Sequence, residues 1–305
     1  MHVIGIDNGN GDTKTRNTIF HSGVRQLTED SLSPNIIEID CERYALGENV
    51  PEYNSRKYEN KLMYIQTLAS IALELEARNI HEDVPEIWLA IGLPIGHWGN
   101  QKDKVKEYML QKDEVSFVLN GKPYVLRIKG CNIMPQGLAS TRSYRPKEKG
   151  NIITLDIGNG TLDYLTFHDG VIAEKECGSE EYGIAKCYEL VKRSVMNRYS
   201  TDIDYYSFEN YIKNERATLN HKWSGTIDEA IKEYCKGVMH IAKRIGYNAN
   251  TCSLHIMGGG AYVVRQYAVL DDKKVTWDMD VHSNAKGYES FCKQNLRKQG
   301  VDFYD

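Results

Sequence analysis

The chain has 305 residues, 41% hydrophobic and 26% charged, with a net charge of −4. That length predicts about two domains with ample surface to bury, and the composition is that of an ordinary globular protein. The slight acidity excludes a global pull towards nucleic acid or anionic membrane, and no apolar run reaches the roughly 18 residues of a membrane helix. Met1-His2-Val3-Ile4-Gly5 lacks the basic start of a secretory signal, so a cytoplasmic location is expected. The seven cysteines are scattered with no Cys-x-x-Cys pair, and the nine histidines show no His-Glu-x-x-His spacing. Reduced, mostly buried thiols are expected, with no disulfide or zinc site.

The first stretch, Val3 to Lys14, is an apolar strand cut off by Asp7-Asn8-Gly9-Asn10-Gly11. It predicts a hairpin that returns through Thr18-Ile19-Phe20 and runs to about residues 21–23. Residues 24–60 are polar and read as an insertion with short strands, including Tyr44-Ala45-Leu46-Gly47. Leu62, Ile65, Leu68, Ala69, Ala72 and Leu75 recur at helical spacing, predicting a helix from Lys61 to Arg78 that Asn79 ends. Glu86 to Pro94 reads as a central strand of an α/β sheet, followed by a charged helix from about Lys102 to Gln111. Asn120-Gly121 joins two predicted strands, 115–119 and 124–128. Cys131 to Ser140 reads as a strand passing into a helix, with Gln136 as a neutral polar side chain at the strand end.

The basic loop Tyr144 to Gly150 is the predicted domain linker. Beyond it the plan repeats. Ile153 to Asp163 carries Asp156-Ile157-Gly158-Asn159-Gly160, the same Asp-x-Gly-Asn-Gly core. This predicts a second hairpin over 152–174, a helix from Glu181 to about Tyr199, a polar region to Gly225 and a helix from Ile227 to Arg244. Tyr205, Tyr206 and Tyr211 fit either an interface or ordinary ring packing. A short strand, Ser253 to Met257, ends in Gly258-Gly259-Gly260 and a helix opens at Ala261. A further strand, Val275 to Trp277, and a C-terminal helix opened by Ser283 to Tyr288 complete the chain.

The repeated motif has a physical reading. Glycines 9, 11, 158 and 160 let backbone N–H groups approach an anion. Asp7 and Asp156 at their strand ends would place carboxylates near phosphates, where hydrated Mg²⁺ neutralises charge, and Lys14 adds a compact positive charge. The triple glycine offers bare backbone at a sheet's carboxyl edge, where a flat ligand or phosphate can lie.

The order of parts resembles the actin-like ATPase superfamily. Asp7 to Lys14 is similar to its first phosphate motif and Met134 to Ser140 to the first connecting motif. Asp156 to Asp163 is similar to the second phosphate motif, Met257 to Ala261 to the adenosine motif, and Ser283 to Tyr288 to the second connecting motif. Within it, Gly92-Leu93-Pro94 and Ser283 to Tyr288 resemble patterns of the plasmid-segregation actins, the ParM or StbA-like group. Three departures stand out. Asn10 and Asn159 stand where small residues are common, Lys286 replaces an Arg, and Gln136 occupies a position where many plasmid actins carry Glu.

The resemblance implies an α/β, actin-like ATPase fold with two RNase H-like domains flanking a nucleotide cleft. They would span 1–150 with an insert at about 24–85, and 151–305 with an insert at about 178–250, the C-terminal helix crossing back. It implies ATP hydrolysis, with ATP or ADP as the bound nucleotide, and Mg²⁺ held largely through water by Asp7 and Asp156. Phosphate would meet Lys14 and the backbone of Asn10, Gly11, Gly158, Asn159, Gly160 and Thr161. Gly258, Gly259 and Gly260 would border adenosine, and Gln136 would orient the attacking water. The implied partners are further copies of the chain, in nucleotide-dependent filaments, and a DNA-binding adaptor of ParR type on plasmid centromere-like DNA, with no direct nucleic-acid or membrane contact. Two alternatives remain open: a small-molecule kinase of the same fold, and a nucleotide-sensing scaffold that does not polymerise.

Overall fold

The computed structural model describes residues 1–29, 31–47, 61–143, 149–213, 221–270 and 275–304. Most of the predicted linker, 144–148, lies outside them, as do the end of the 24–60 insertion and part of the polar region before Gly225. The chain divides into two compact units, residues 1–146 with 280–305, and residues 147–279.

The first unit is built on β1 (His2–Asn8), buried along its whole length because Val3, Ile4 and Ile6 are apolar on both faces of the strand. It turns into β2 (Asp12–Lys14) and β3 (Ile19–His21), a three-stranded meander rather than a two-stranded hairpin. β4 (Val24–Leu27), β5 (Ile36–Ile39) and β6 (Glu42–Leu46) follow, then α1 (Lys61–Ala77). Asn79, at φ 54°, ends that helix. The sheet continues through β7 (Glu86–Leu93), then α2 (Ile95–Met109), β8 (Glu114–Leu119) and β9 (Lys122–Pro135). Its order is β3-β2-β1-β7-β9-β8-β5-β6-β4, with β1, β7 and β9 parallel, so the strands of the 24–60 segment extend the same sheet.

Two expectations change here. α2 starts seven residues earlier than the charged stretch suggested. Gly96 and Gly99 hide its first turns from a propensity reading, while Trp98 Nε1 donates to the Ile133 carbonyl at 3.0 Å and anchors them. After β9 the described residues up to 143 form no α-helix. Gly137 turns the chain at φ 75°, and among those described residues a 3-10 turn, Ser140–Ser143, follows.

The second unit repeats the hairpin with β10 (Asn151–Ile157) and β11 (Leu162–His168), extended by β12 (Val171–Ile172) and β13 (Gly178–Glu180). Because residues 178–180 pair with β11, α3 (Ile184–Tyr199) begins three residues later than predicted. α4 (Tyr205–Ile212) is capped by Asp204, whose carboxylate accepts from the Ser207 N–H at 2.8 Å. α5 (Ser224–Arg244), β14 (Cys252–Met257), α6 (Ala261–Tyr267) and β15 (Val275–Trp277) complete it, with β10, β14 and β15 parallel. Of the three tyrosines considered for an interface, Tyr211 is buried and gives its hydroxyl to Asp228 at 2.9 Å. Tyr206 alone is well exposed.

The last helix, α7 (Ser283–Lys298), belongs to the first unit and packs on β1 and β7. It lies close because the contact points are glycines: a Cβ at Gly5 would overlap the Ala285 carbonyl, and one at Gly92 the Tyr288 ring. No described helix is long and apolar enough to cross a membrane.

All seven cysteines are free, and only Cys41 is exposed. Burial pushes the Cys235 and Cys292 thiols up to about 12 and raises Cys131 and Cys187 as well. A thiol reagent at about pH 8 should therefore titrate Cys41 fast and the half-buried Cys177 slowly. The other five should react only after denaturant is added; fast labelling of several thiols in the native protein would refute this packing.

Candidate functional site

In the first unit, β1 delivers Asp7 to its carboxyl end, where the side chain is 7% exposed. The turn after it must be glycine at residue 9, since a Cβ there would come within 2.6 Å of the Asp12 carbonyl oxygen. Lys14 stands opposite Asp7 in the β1–β2 register, its ammonium 3.9 Å from the Asp12 carboxylate. Gln136, at the end of β9, is brought to the same place: its Nε2 donates to Asp7 Oδ1 at 3.1 Å. The chain after Gln136 is held by α7, where Asn284 Oδ1 accepts from the Gly137 N–H at 3.1 Å; the Ser140 hydroxyl, which donates to the Gly137 carbonyl at 2.9 Å, lies 3.3 Å from the same oxygen. Gly287 permits this approach, since a Cβ would sit 2.6 Å from the Ser140 nitrogen.

In the second unit the corresponding turn is fixed by a helix. The N–H groups of Gly183, Ile184 and Ala185, at the start of α3, donate to the carbonyls of Gly160, Gly158 and Asn159 at 3.3, 3.0 and 2.9 Å. A trans peptide points its C=O and the next N–H in opposite directions. Three carbonyls turned towards α3 thus turn the N–H groups of Thr161, Asn159 and Gly160 away from it. Among the described residues no backbone carbonyl takes those three donors. Asn159 is fixed further by Tyr205, whose hydroxyl donates to Asn159 Oδ1 at 3.1 Å. The Asp156 carboxylate, 6% exposed, lies over Gly258, which adopts φ 85° and has no room for a Cβ beside it. Gly260 N–H donates to the Ile157 carbonyl at 2.8 Å, while Gly259 faces open space.

Each unit therefore assembles its own set of predicted residues: Asp7, Asn10, Gly11, Lys14 and Gln136 in one, and Asp156, residues 158–161 and Gly258 to Gly260 in the other. Three partly freed donors beside a buried carboxylate and open backbone suit an oxygen-rich anion such as phosphate. Among the described residues no cluster of three or more His, Cys, Asp or Glu could hold a metal by itself.

Two family models match the sequence: Actin like proteins N terminal domain over residues 5–138, and Archaeal actin homologue MreB-like, C-terminal, over residues 154–268. The chain belongs to the actin-like proteins. Solved structures share this fold. Ta0583, an archaeal actin homologue solved with ADP, is 16% identical with a TM-score of 0.75, covering 96% of this chain and 100% of its own. A ParM from a 15-stranded filament of Clostridium botulinum is 18% identical with a TM-score of 0.78 over 96% and 100%. The apo psk41 ParM is 19% identical with a TM-score of 0.71 over 97% and 98%. No curated protein matches the sequence.

This actin-like chain also uses residues that sequence reasoning missed. Glu74 and Glu289, fully buried, share Arg78, with bonds of 2.7 Å to Nε and 2.5 Å to an Nη. Arg16 and Lys293 reach Glu289, each at 3.2 Å, and Glu74 takes the Thr15 hydroxyl and both nitrogens of Asn17. The residues directly after Lys14 are thereby fixed to α1 and α7. The available signal was α1 itself: a helix apolar on every side that contains a Glu with Arg at i+4.

The joint between α3 and the second turn yields a stability prediction. Gly183→Ala would drive a Cβ into the Asn159 carbonyl and should cost about 2 kcal/mol or more in urea denaturation. Gly225→Ala, where nothing lies within 4 Å, should change stability by less than about 1 kcal/mol. Equal effects would mean that the joint is not tight.

Proposed function

We propose that this actin-like protein binds ATP with Mg²⁺ on its two glycine turns, hydrolyses the terminal phosphate slowly and forms nucleotide-dependent filaments. The observation that carries the reading is the second turn, whose carbonyls are held by α3 so that the N–H groups of Asn159, Gly160 and Thr161 face a ligand. Those groups, with Asn10 and Gly11, hold phosphate oxygens, and Lys14 neutralises one of them; the Gly158 N–H, expected to join them, is given instead to the Thr161 carbonyl at 2.9 Å. Mg²⁺, bound largely through water by Asp7 and Asp156, would offset charge on the phosphates. Gly258 to Gly260 border the adenosine, with Gly259 as the open face.

Gln136 orients the attacking water. Its amide nitrogen is engaged by Asp7, which fixes the side chain and leaves the amide oxygen to accept from water. A neutral amide cannot take a proton at physiological pH, so the isolated subunit turns over slowly and addition to a filament accelerates it. ATP touching both turns favours the arrangement that adds to a filament end, and that preference weakens after hydrolysis; a ligand shifts such an equilibrium only by its differential affinity. ParM structures in filament form and the ADP complex of an archaeal homologue support the reading by their shared fold. The cellular role is plasmid DNA segregation in the cytoplasm, through a DNA-binding adaptor of ParR type.

Addition of ATP and Mg²⁺ to purified protein should raise light scattering before phosphate appears, and scattering should decay as ATP is consumed. Flat scattering at high protein concentration sinks the filament, and transfer of phosphate to a sugar would make the protein a kinase instead. Asp156→Ala should lower phosphate release by about a hundredfold or more; full activity in that variant removes the metal assignment.

A further inference from the structure

The two glycine turns share a sequence but are followed by different structures. In the second, the start of α3 holds the carbonyls. In the first, no helix follows β2 and β3, yet two carbonyls of the turn are held all the same, both by Ser22. Its N–H donates to the Gly11 carbonyl at 2.9 Å and its hydroxyl to the Gly9 carbonyl at 2.7 Å. The N–H bond merely continues the β2–β3 ladder by one step. The hydroxyl bond reaches two residues further into the turn, where no strand pairing extends.

The hydroxyl has one proton, and Gly9 receives it. Thr13, whose Oγ1 is 2.8 Å from Ser22 Oγ, must therefore be the donor in that pair, giving a chain from Thr13 through Ser22 to Gly9 in which each bond strengthens the next. Ser22's own carbonyl accepts from Gln66 Nε2 on α1. Every polar atom of a residue 1% exposed is thus engaged, and Thr13 is 0% exposed, so no solvent competes. With the Gly9 carbonyl turned to Ser22, the Asn10 N–H points the opposite way.

We infer that Ser22 is a positioning residue for phosphate: through Gly9 and Gly11 it aims the first turn as the start of α3 aims the second. This rests on the reading of the turns as the ATP phosphate site. Loss of the hydroxyl leaves the ladder bond intact, so the turn survives but its peptide plane at Gly9 and Asn10 is free to rotate.

The test is calorimetric titration of the full chain with ATP and with adenosine, in Mg²⁺, for wild type, Ser22→Ala and Thr13→Val. Ser22→Ala should weaken ATP about tenfold, the scale of one oriented hydrogen bond, and leave adenosine within about twofold. Thr13→Val, which removes the donor behind Ser22, should move ATP in the same direction by less. Should Ser22→Ala fail to fold by circular dichroism, Thr13→Val decides by the same ATP-to-adenosine split. An ATP affinity equal to wild type in both variants, or parallel losses for ATP and adenosine, overturns the inference. Wild-type protein that binds no ATP would instead sink the nucleotide reading, and the inference with it.

Discussion

A planar trans peptide cannot aim its C=O and the following N–H to the same side, and both glycine turns are built on that constraint. To present donors outward, a turn must hand its carbonyls to something behind it. The second turn gives them to the start of α3, whose first N–H groups have no partners within their own helix. One set of bonds therefore satisfies two needs, the helix's orphan donors and the turn's orientation. The first turn has no such helix and relies on Ser22. Each such bond contributes about 1 kcal/mol, so neither turn adopts the alternative orientation without losing them.

The same logic of enforced partners extends to the ion cluster behind the first turn. A fully buried carboxylate is tolerated only when paired and hydrogen-bonded. Glu74 meets that condition through Arg78, Thr15 and Asn17, and Glu289 through Arg78, Arg16 and Lys293. These partners come from the segment after Lys14, from α1 and from α7. Breaking one leaves a buried charge, at a cost of about 3–5 kcal/mol in comparable sites. The cluster thus fixes the segment that carries Lys14 to two helices, one of them contributed by the far end of the chain. His282 adds to this grip, its Nδ1 lying 2.8 Å from the Thr15 carbonyl.

Where a motif announces its own geometry, sequence was enough. The Asp-x-Gly-Asn-Gly repeats, the strands before them and the Gly258 to Gly260 turn were legible because glycine and strand-type apolar runs are local signals. The helix after Gln136 was misread because Gly137 turns the chain by a positive φ that a pattern does not reveal. The start of α2 was masked by Gly96 and Gly99, which tertiary anchoring through Trp98 overrides. The roles of Ser22, Tyr205 and Glu74 were hidden for a different reason. Each acts on a residue distant in sequence, Tyr205 on Asn159 and Glu74 on Thr15 and Asn17, and no local spacing encodes that.

The departures from the plasmid-actin pattern can now be weighed by what each side chain touches. Lys286 in place of Arg pairs with Asp280 at 2.6 Å on a half-exposed face. The docking of α7 rests instead on Gly5, Gly92 and Gly287, where backbone and ring contacts leave no room for a Cβ, so the exchange of cations is peripheral. Asn159 in place of a smaller residue is matched by Tyr205, which occupies its amide oxygen. Gln136 is the departure that touches the strand-end carboxylate, Asp7. A carboxylate at its position would stand 3.1 Å from Asp7 and repel it, raising the proton affinity of the pair; the amide donates to Asp7 instead. The chain thereby exchanges a group able to take a proton for one that holds the Asp7 side chain in place.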